Sequence, residues 1–270
     1  MVVAQAIRHR NSVTDSGGTQ PAIIFAHGFG CDQSIWRLLT PELAVDYRIV
    51  SYDHVGSGRA GVQTYSAARY VDLAGYAEDL VQLVEILDAG PVILVGHSVG
   101  AMIGLLAANA RPELFRRLVM IGPSPRYQND APDYVGGFER EALEDLLDLL
   151  GRNVAGWAGV MAPVVMDNPD RPELAAELED RFCRMDPDVA RQFARATFLS
   201  DYRHALPEVR VPALIVQMRK DAVAPVCVGE YMHARMPRST LRVMEVAGHC
   251  PHLSHPLETA AVIREFLRTE

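Results

Sequence analysis

Four cysteines in 270 residues, Cys31, Cys183, Cys227 and Cys250, stand far apart and form no CxxC pair. So few thiols at such spacing exclude a disulfide framework and fit a reducing compartment. Basic surplus is absent too: 26 Lys and Arg against 34 Asp and Glu give a formal net charge of −8. With no Lys/Arg stripe to track a phosphate backbone, a nucleic-acid partner is not expected. Long hydrophobic runs are also missing. Val2–Ile7 is too short for a signal-peptide core, and the uncharged stretch Pro91–Ala110 is interrupted by His97, Ser98, Asn109 and three glycines. That interruption argues against a membrane span. No internal repeat or low-complexity tract occurs. What remains is an ordinary globular composition, 49% hydrophobic and 22% charged, on a chain long enough to bury a core without staples. A soluble, cytoplasmic protein is expected.

What is present alternates. Apolar runs at 22–27, 48–52, 92–96, 118–122, 213–218 and 240–246 read as strands, most of them apolar throughout, as parallel strands covered on both faces are. Between and after them, 74–88, 98–110 and 257–268 carry helical spacing. The pattern predicts an α/β fold with a mostly parallel sheet flanked by helices. The alternation fails between about 124 and 212. A structureless loop of that length is improbable, and helical patterns at 139–150, 153–161, 173–184 and 188–199 fill it, punctuated by Pro163, Pro169, Pro172 and Pro187. An inserted four-helix cap over residues 125–207 is expected, on a core made of 1–124 and 208–270. The stripe Leu143, Leu146, Leu147 and Leu150 reads as packing against that core.

Chemistry concentrates at Gly96-His97-Ser98-Val99-Gly100, between a strand and an apolar helix. A serine hydroxyl is a weak nucleophile unless it is exposed beside a base, and a strand-turn-helix elbow with flanking glycines exposes it. Ser98 is the expected nucleophile. A base must follow, oriented by an acid. His249 sits just after the last strand, and Asp221 just after the strand 213–218; Glu245 lies inside a strand and Asp201 in the cap, so Asp221 is preferred. The backbone N–H groups of Val99 and Phe29, the latter in His27-Gly28-Phe29-Gly30, are expected to hold a developing oxyanion. Two other motifs carry less. Gly56-Ser57-Gly58-Arg59-Ala60-Gly61 matches GxGxxG, but Val62–Tyr65 has no helical periodicity to receive a dinucleotide. His249, Cys250, His252 and His255 are soft ligands, but Pro251 and Pro256 break any regular face. No metal and no cofactor are expected.

With these residues in place, the chain resembles the α/β-hydrolase superfamily over its whole length. Within it, the sequence is similar to the bacterial stress-regulator hydrolases of the RsbQ type and to the plant karrikin and strigolactone receptors. The resemblance is carried by Asp53-His54-Val55-Gly56-Ser57-Gly58, Gly96-His97-Ser98-Val99, Ser124-Pro125-Arg126-Tyr127 with Asn129-Asp130, Gly136-Gly137-Phe138-Glu139, and Leu199-Ser200-Asp201-Tyr202-Arg203. Departures are Arg59-Ala60-Gly61, where related sequences often carry a polar pair, and Cys250 after the histidine. The resemblance implies a V-shaped cap and an apolar pocket above Ser98 lined by Phe29, Phe138, Trp157 and Phe198. It also implies slow hydrolysis of a small apolar ester or butenolide-type lactone, with ligand state read by a signalling protein partner. The alternative is a metabolic carboxylesterase or lactonase whose output is product; carbon–carbon or peroxyacid chemistry on the same residues ranks below both.

Overall fold

A seven-stranded sheet runs through the protein, which is described here by a computed structural model over residues 2–268. Its strands are β1 (Thr14–Asp15), β2 (Ala22–Ala26), β3 (Arg48–Tyr52), β4 (Val92–His97), β5 (Phe115–Ile121), β6 (Ala213–Lys220) and β7 (Ser239–Ala247), in the spatial order β1-β3-β2-β4-β5-β6-β7. All neighbours are parallel except β1, which is antiparallel to β3. Every residue of β2 and β4 is buried, which is why these runs are apolar without alternation. β7 lies at the edge and alternates.

The helices that cover the sheet include α1 (Val2–Arg10), α2 (Thr40–Leu43), α3 (Ala74–Leu87) and α4 (Val99–Ala110). Between β5 and β6 the alternation breaks, and α5 (Arg140–Arg152), α6 (Val154–Met166), α7 (Pro172–Cys183) and α8 (Pro187–Phe198) occupy the insertion. The chain then closes with α9 (Val226–His233), α10 (Pro251–Ser254) and α11 (Pro256–Arg268). Pro172 and Pro187 stand first in α7 and α8, where the missing N–H costs nothing. Asn153 caps α6 by accepting from Gly156 N–H, and Asp186 caps α8 through Asp188 and Val189 N–H. Pro163, by contrast, does not end a helix. It lies inside α6, which runs on to Met166, and its ring takes the place of a donor to Gly159.

Several elements escape the sequence pattern. No residue of α1 is buried, so no apolar stripe marks it. β1 is two residues long and is fixed by tertiary charge: Asp15 takes both Arg8 and Arg48. α2, α9 and α10 are too short for periodicity to show.

Where β2 and β3 end, two imidazoles are fully buried. His27 and His54 stack edge to face with centroids 4.4 Å apart. The His54 N–H donates to His27 Nε2 at 3.0 Å, so the His27 proton sits on Nδ1, which donates to Gly28 O at 2.9 Å. His54 Nε2–H donates to His27 O at 3.0 Å. A second proton on His27 would face the His54 N–H. Burial pushes both pKa values down, that of His54 well below the usual histidine range with His27 adding to the effect. A base with a lowered folded-state pKa gives stability that is present above its unfolded pKa and lost as the pH falls below it. Going from pH 7.5 to 5 should therefore cost about 2 kcal/mol for a histidine that stays neutral in the fold. Urea unfolding of wild type and His54→Gln at both pH values checks this: the variant should lose about 2 kcal/mol less, and equal losses would contradict it.

Candidate active site

Ser98 sits between β4 and α4 at φ 53° and ψ −122°, a conformation L-residues rarely adopt. Such backbone costs on the order of 1–3 kcal/mol and persists only where its surroundings force it. They do here. Ser98 N–H donates to Ile121 O at 2.8 Å, tying the turn to β5. A Cβ at Gly96 would lie 2.5 Å from Ala101 Cα, and one at Gly100 would lie 2.4 Å from Ala26 O. The two glycines let α4 approach the ends of β2 and β4 closely enough to bend the chain at Ser98.

Asp221 follows β6, and both of its oxygens are engaged. Oδ1 accepts from Val223 N–H at 2.8 Å and Ala224 N–H at 3.1 Å. Oδ2 accepts from His249 Nδ1–H at 2.7 Å. This fixes the carboxylate and sets the imidazole tautomer, leaving a lone pair on Nε2. The His249 loop is held at three points: Gly248 N–H donates to Lys220 O at 2.8 Å, His249 N–H donates to Val165 O of α6 at 2.7 Å, and His97 Nε2 shares a 2.9 Å hydrogen bond with His249 O. Gly248 has φ +87°, and a Cβ there would lie 2.0 Å from Met166 O. The other two carboxylates considered from the sequence are elsewhere. Glu245 pairs with Arg219 on the surface, and Asp201 binds Arg126 and Arg203.

The structure thus brings His249 and Asp221 into one hydrogen bond and buries Ser98 beside them, but Ser98 does not reach the imidazole. Its Oγ shares a 3.3 Å hydrogen bond with the Tyr127 hydroxyl, and His249 Nε2 has no partner among the described residues. Burial pushes the Tyr127 pKa well up, so this hydroxyl stays neutral. Tyr127 is a residue the chemical motifs do not reveal. It lies 29 residues from Ser98, and only folding carries its side chain over the elbow. Neither the Phe29 nor the Val99 amide, the latter at the start of α4, donates to another protein group among the described residues.

Above Ser98 lies a cavity of about 50 Å³. Phe29, Phe138, Trp157 and Phe198 all line it. Phe29 meets Trp157 and Phe198 edge to face, with centroids 5.8 and 5.5 Å apart. The α5 stripe Leu143, Leu146, Leu147 and Leu150 also lines the cavity, which corrects the reading that it only packs on the core. Met161, Val165, Leu178, Phe182 and Val223 complete the apolar wall; its polar members are Ser98, His97 and His249, with the thiols Cys31 and Cys250. A cavity of this size holds a few water-sized groups and is far below the several hundred Å³ common for drug-sized ligands. The GxGxxG segment is a loop, its turn held by Asp53, which accepts from Gln33 and Arg59 N–H, and a short 3₁₀ turn (Val62–Thr64) follows it.

The model of the alpha/beta hydrolase family matches residues 23–262. The Karrikin insensitive 2 receptor CA of Petunia hybrida is 40% identical over 251 residues, 93% of either chain. Strigolactone esterase D14 of Arabidopsis thaliana is 38% identical over 252 residues, 93% of this chain and 94% of that one. Among solved structures, a hydrolase from Oleispira antarctica superposes with a TM-score of 0.95 at 40% identity, covering 98% of both chains.

The elbow geometry makes a direct prediction. Gly100→Ala should cost about 3 kcal/mol or more and lower Tm by roughly 10 °C. Gly61→Ala should leave Tm within about 2 °C, because φ there is −59° and the added Cβ meets nothing nearer than Gln63 N at 3.7 Å. Calorimetry of both variants checks the pair; equal shifts would contradict the packing account.

Proposed function

The chain belongs to the alpha/beta hydrolase family, and we propose that within it the protein is a serine hydrolase. It cleaves a small apolar ester or butenolide-type lactone through an acyl-enzyme, turns over slowly, and reports its ligand state to a protein partner. The observation that carries this reading is the hydrogen-bonded Asp221–His249 pair beside Ser98, on the floor of a small apolar cavity. No charged side chain of Lys, Arg, Asp or Glu lines that cavity, so a neutral, apolar ligand fits it.

The chemistry follows from the groups present. Ser98 turns from Tyr127 to His249 Nε2, which takes the hydroxyl proton as Oγ attacks the carbonyl carbon. The Phe29 and Val99 amides donate to the oxygen that gains charge, and the α4 terminus adds a favourable dipole. Collapse of the tetrahedral intermediate breaks the bond to the alcohol oxygen, which receives the proton from His249. In a lactone that alcohol stays tethered to the acyl group. Water, deprotonated by His249, then attacks the acyl-enzyme and frees Ser98. Asp221 keeps the imidazole oriented and offsets its charge while it is protonated. No step needs a cofactor.

Ser98 rests on Tyr127, so acylation begins by breaking that bond. One feature favours slow turnover over a metabolic esterase. The cavity is small and much of its wall comes from α5 to α8, so ligand and product pass along those helices. A partner surface is suggested by α6 itself: Val160 and Val164 are 54% and 45% exposed, next to the Val165 carbonyl that holds His249. Four unpaired thiols fit action in a reducing compartment.

Pre-steady-state hydrolysis of a short nitrophenyl ester and a synthetic butenolide tests this reading. Wild type should release one equivalent in a burst and then turn over slowly; Ser98→Ala should show neither phase. Tyr127→Phe, which removes a hydrogen bond worth about 1 kcal/mol, should speed the burst about 5-fold. Fast steady turnover of the simple ester without a burst would favour the metabolic esterase, and activity retained by Ser98→Ala would refute the site.

A further inference from the structure

The soft-ligand cluster that the sequence places at 249–255 is regrouped by the fold. His249 is committed to Asp221, and His255 Nδ1 shares a 2.9 Å hydrogen bond with Ser254 Oγ. In their place comes His97 from the elbow, whose Nε2 shares a 2.9 Å hydrogen bond with His249 O while its Nδ1 has no partner among the described residues. One ring nitrogen of His97, Cys250 Sγ and one ring nitrogen of His252 lie within 4.8 Å of one another, all three residues buried. Both nitrogens of His252 lack a hydrogen-bond partner, so whichever of them faces the cluster is unpaired. His252 is fully buried, its ring between Trp36 and His97 with centroid distances of 4.6 and 4.5 Å. A buried imidazole with neither nitrogen engaged is an exception that calls for an explanation. The Cys250 thiol makes no hydrogen bond either, among the described residues.

We propose that His97, Cys250 and His252 form a zinc site built from one thiolate and two imidazoles. Such donors suit Zn²⁺, with sulfur at about 2.3 Å and nitrogen at about 2.0–2.1 Å from the ion. Ligand atoms around a tetrahedral ion of that size stand about 3.3–3.7 Å apart, so the three donors, which lie within 4.8 Å of one another, must draw together to bind it. Binding forms bonds to Cys250 Sγ and one nitrogen of each ring, and the thiol proton passes to solvent. His97 and Cys250 also line the ligand cavity, which gives the ion a route in and leaves its fourth position to water or a small donor. Neither Ser98 nor Asp221 supplies a ligand, but the site adjoins the proposed hydrolytic one, since His97 Nε2 shares a 2.9 Å hydrogen bond with His249 O. It replaces the expectation, drawn from the sequence, that no metal is held here.

The test uses the full chain with Cys183 and Cys227, both exposed, changed to Ser, so that only buried thiols remain. Calorimetric titration with Zn²⁺ should give one site per chain, and Co²⁺ should give a thiolate-to-metal charge-transfer band. Cys250→Ser in this background should abolish the band and weaken zinc binding by about 100-fold or more. Unchanged zinc binding in Cys250→Ser would place the ion on surface histidines and overturn the proposal. If that variant fails to fold, the cobalt spectrum decides alone: no thiolate band also overturns it.

Discussion

The His249 N–H is donated to Val165 O at 2.7 Å, and on that bond the geometry of the candidate site turns. The sheet supplies Ser98 and Asp221 from the ends of β4 and β6. It also touches the loop that bears His249, through Lys220 O of β6 and His97 Nε2 of β4, the latter 2.9 Å from His249 O. That loop is clamped between Lys220 O on one side and the last turn of α6 on the other, with Gly248 the residue whose lack of a Cβ lets Met166 O approach. A helix of the insertion therefore completes a site whose reacting groups all belong to the sheet. Each of these hydrogen bonds is worth about 1 kcal/mol, little against the fold as a whole but enough to move an imidazole out of reach.

The same arrangement ties ligand access to chemistry. The insertion that walls the cavity also holds the base, through the Val165 carbonyl, and the proposed reading joins ligand binding to the position of His249. An enzyme selected for rapid turnover gains by separating those two tasks. A protein that senses its ligand gains by joining them, since occupancy of a small apolar space is then felt at α6 and on its exposed valines. In the proposed reading, the bond between Ser98 and Tyr127 adds a second hold on the chemistry.

Much of this was legible in the chain. Strands such as Ala22–Ala26 and Val92–His97 are apolar because both faces are covered, and that pattern survives without any tertiary knowledge. Gly96 and Gly100 mark the elbow, where only a residue without a Cβ fits. What the sequence hides depends on side chains meeting across long separations. Tyr127 reaches Ser98 over 29 positions, and β1 exists through pairing with β3 and the charge of Arg48 on Asp15. Pro163 looks like a stop, but lies within α6, whose Trp157, Met161 and Val165 line the cavity on either side of it. The leucines of α5 could equally face a core or a cavity, since both are apolar. His97 joins Cys250 and His252 only because β4 and the His249 loop end at the same edge of the sheet.

The most direct test of the central claim is to locate the nucleophilic residue. Brief exposure of the wild-type protein to a fluorophosphonate, followed by intact-mass analysis and peptide mapping, should show a single adduct on Ser98. The adduct should form far more slowly in His249→Gln. Labelling at any other residue, or on Ser98 at the same rate without the imidazole, would contradict the account.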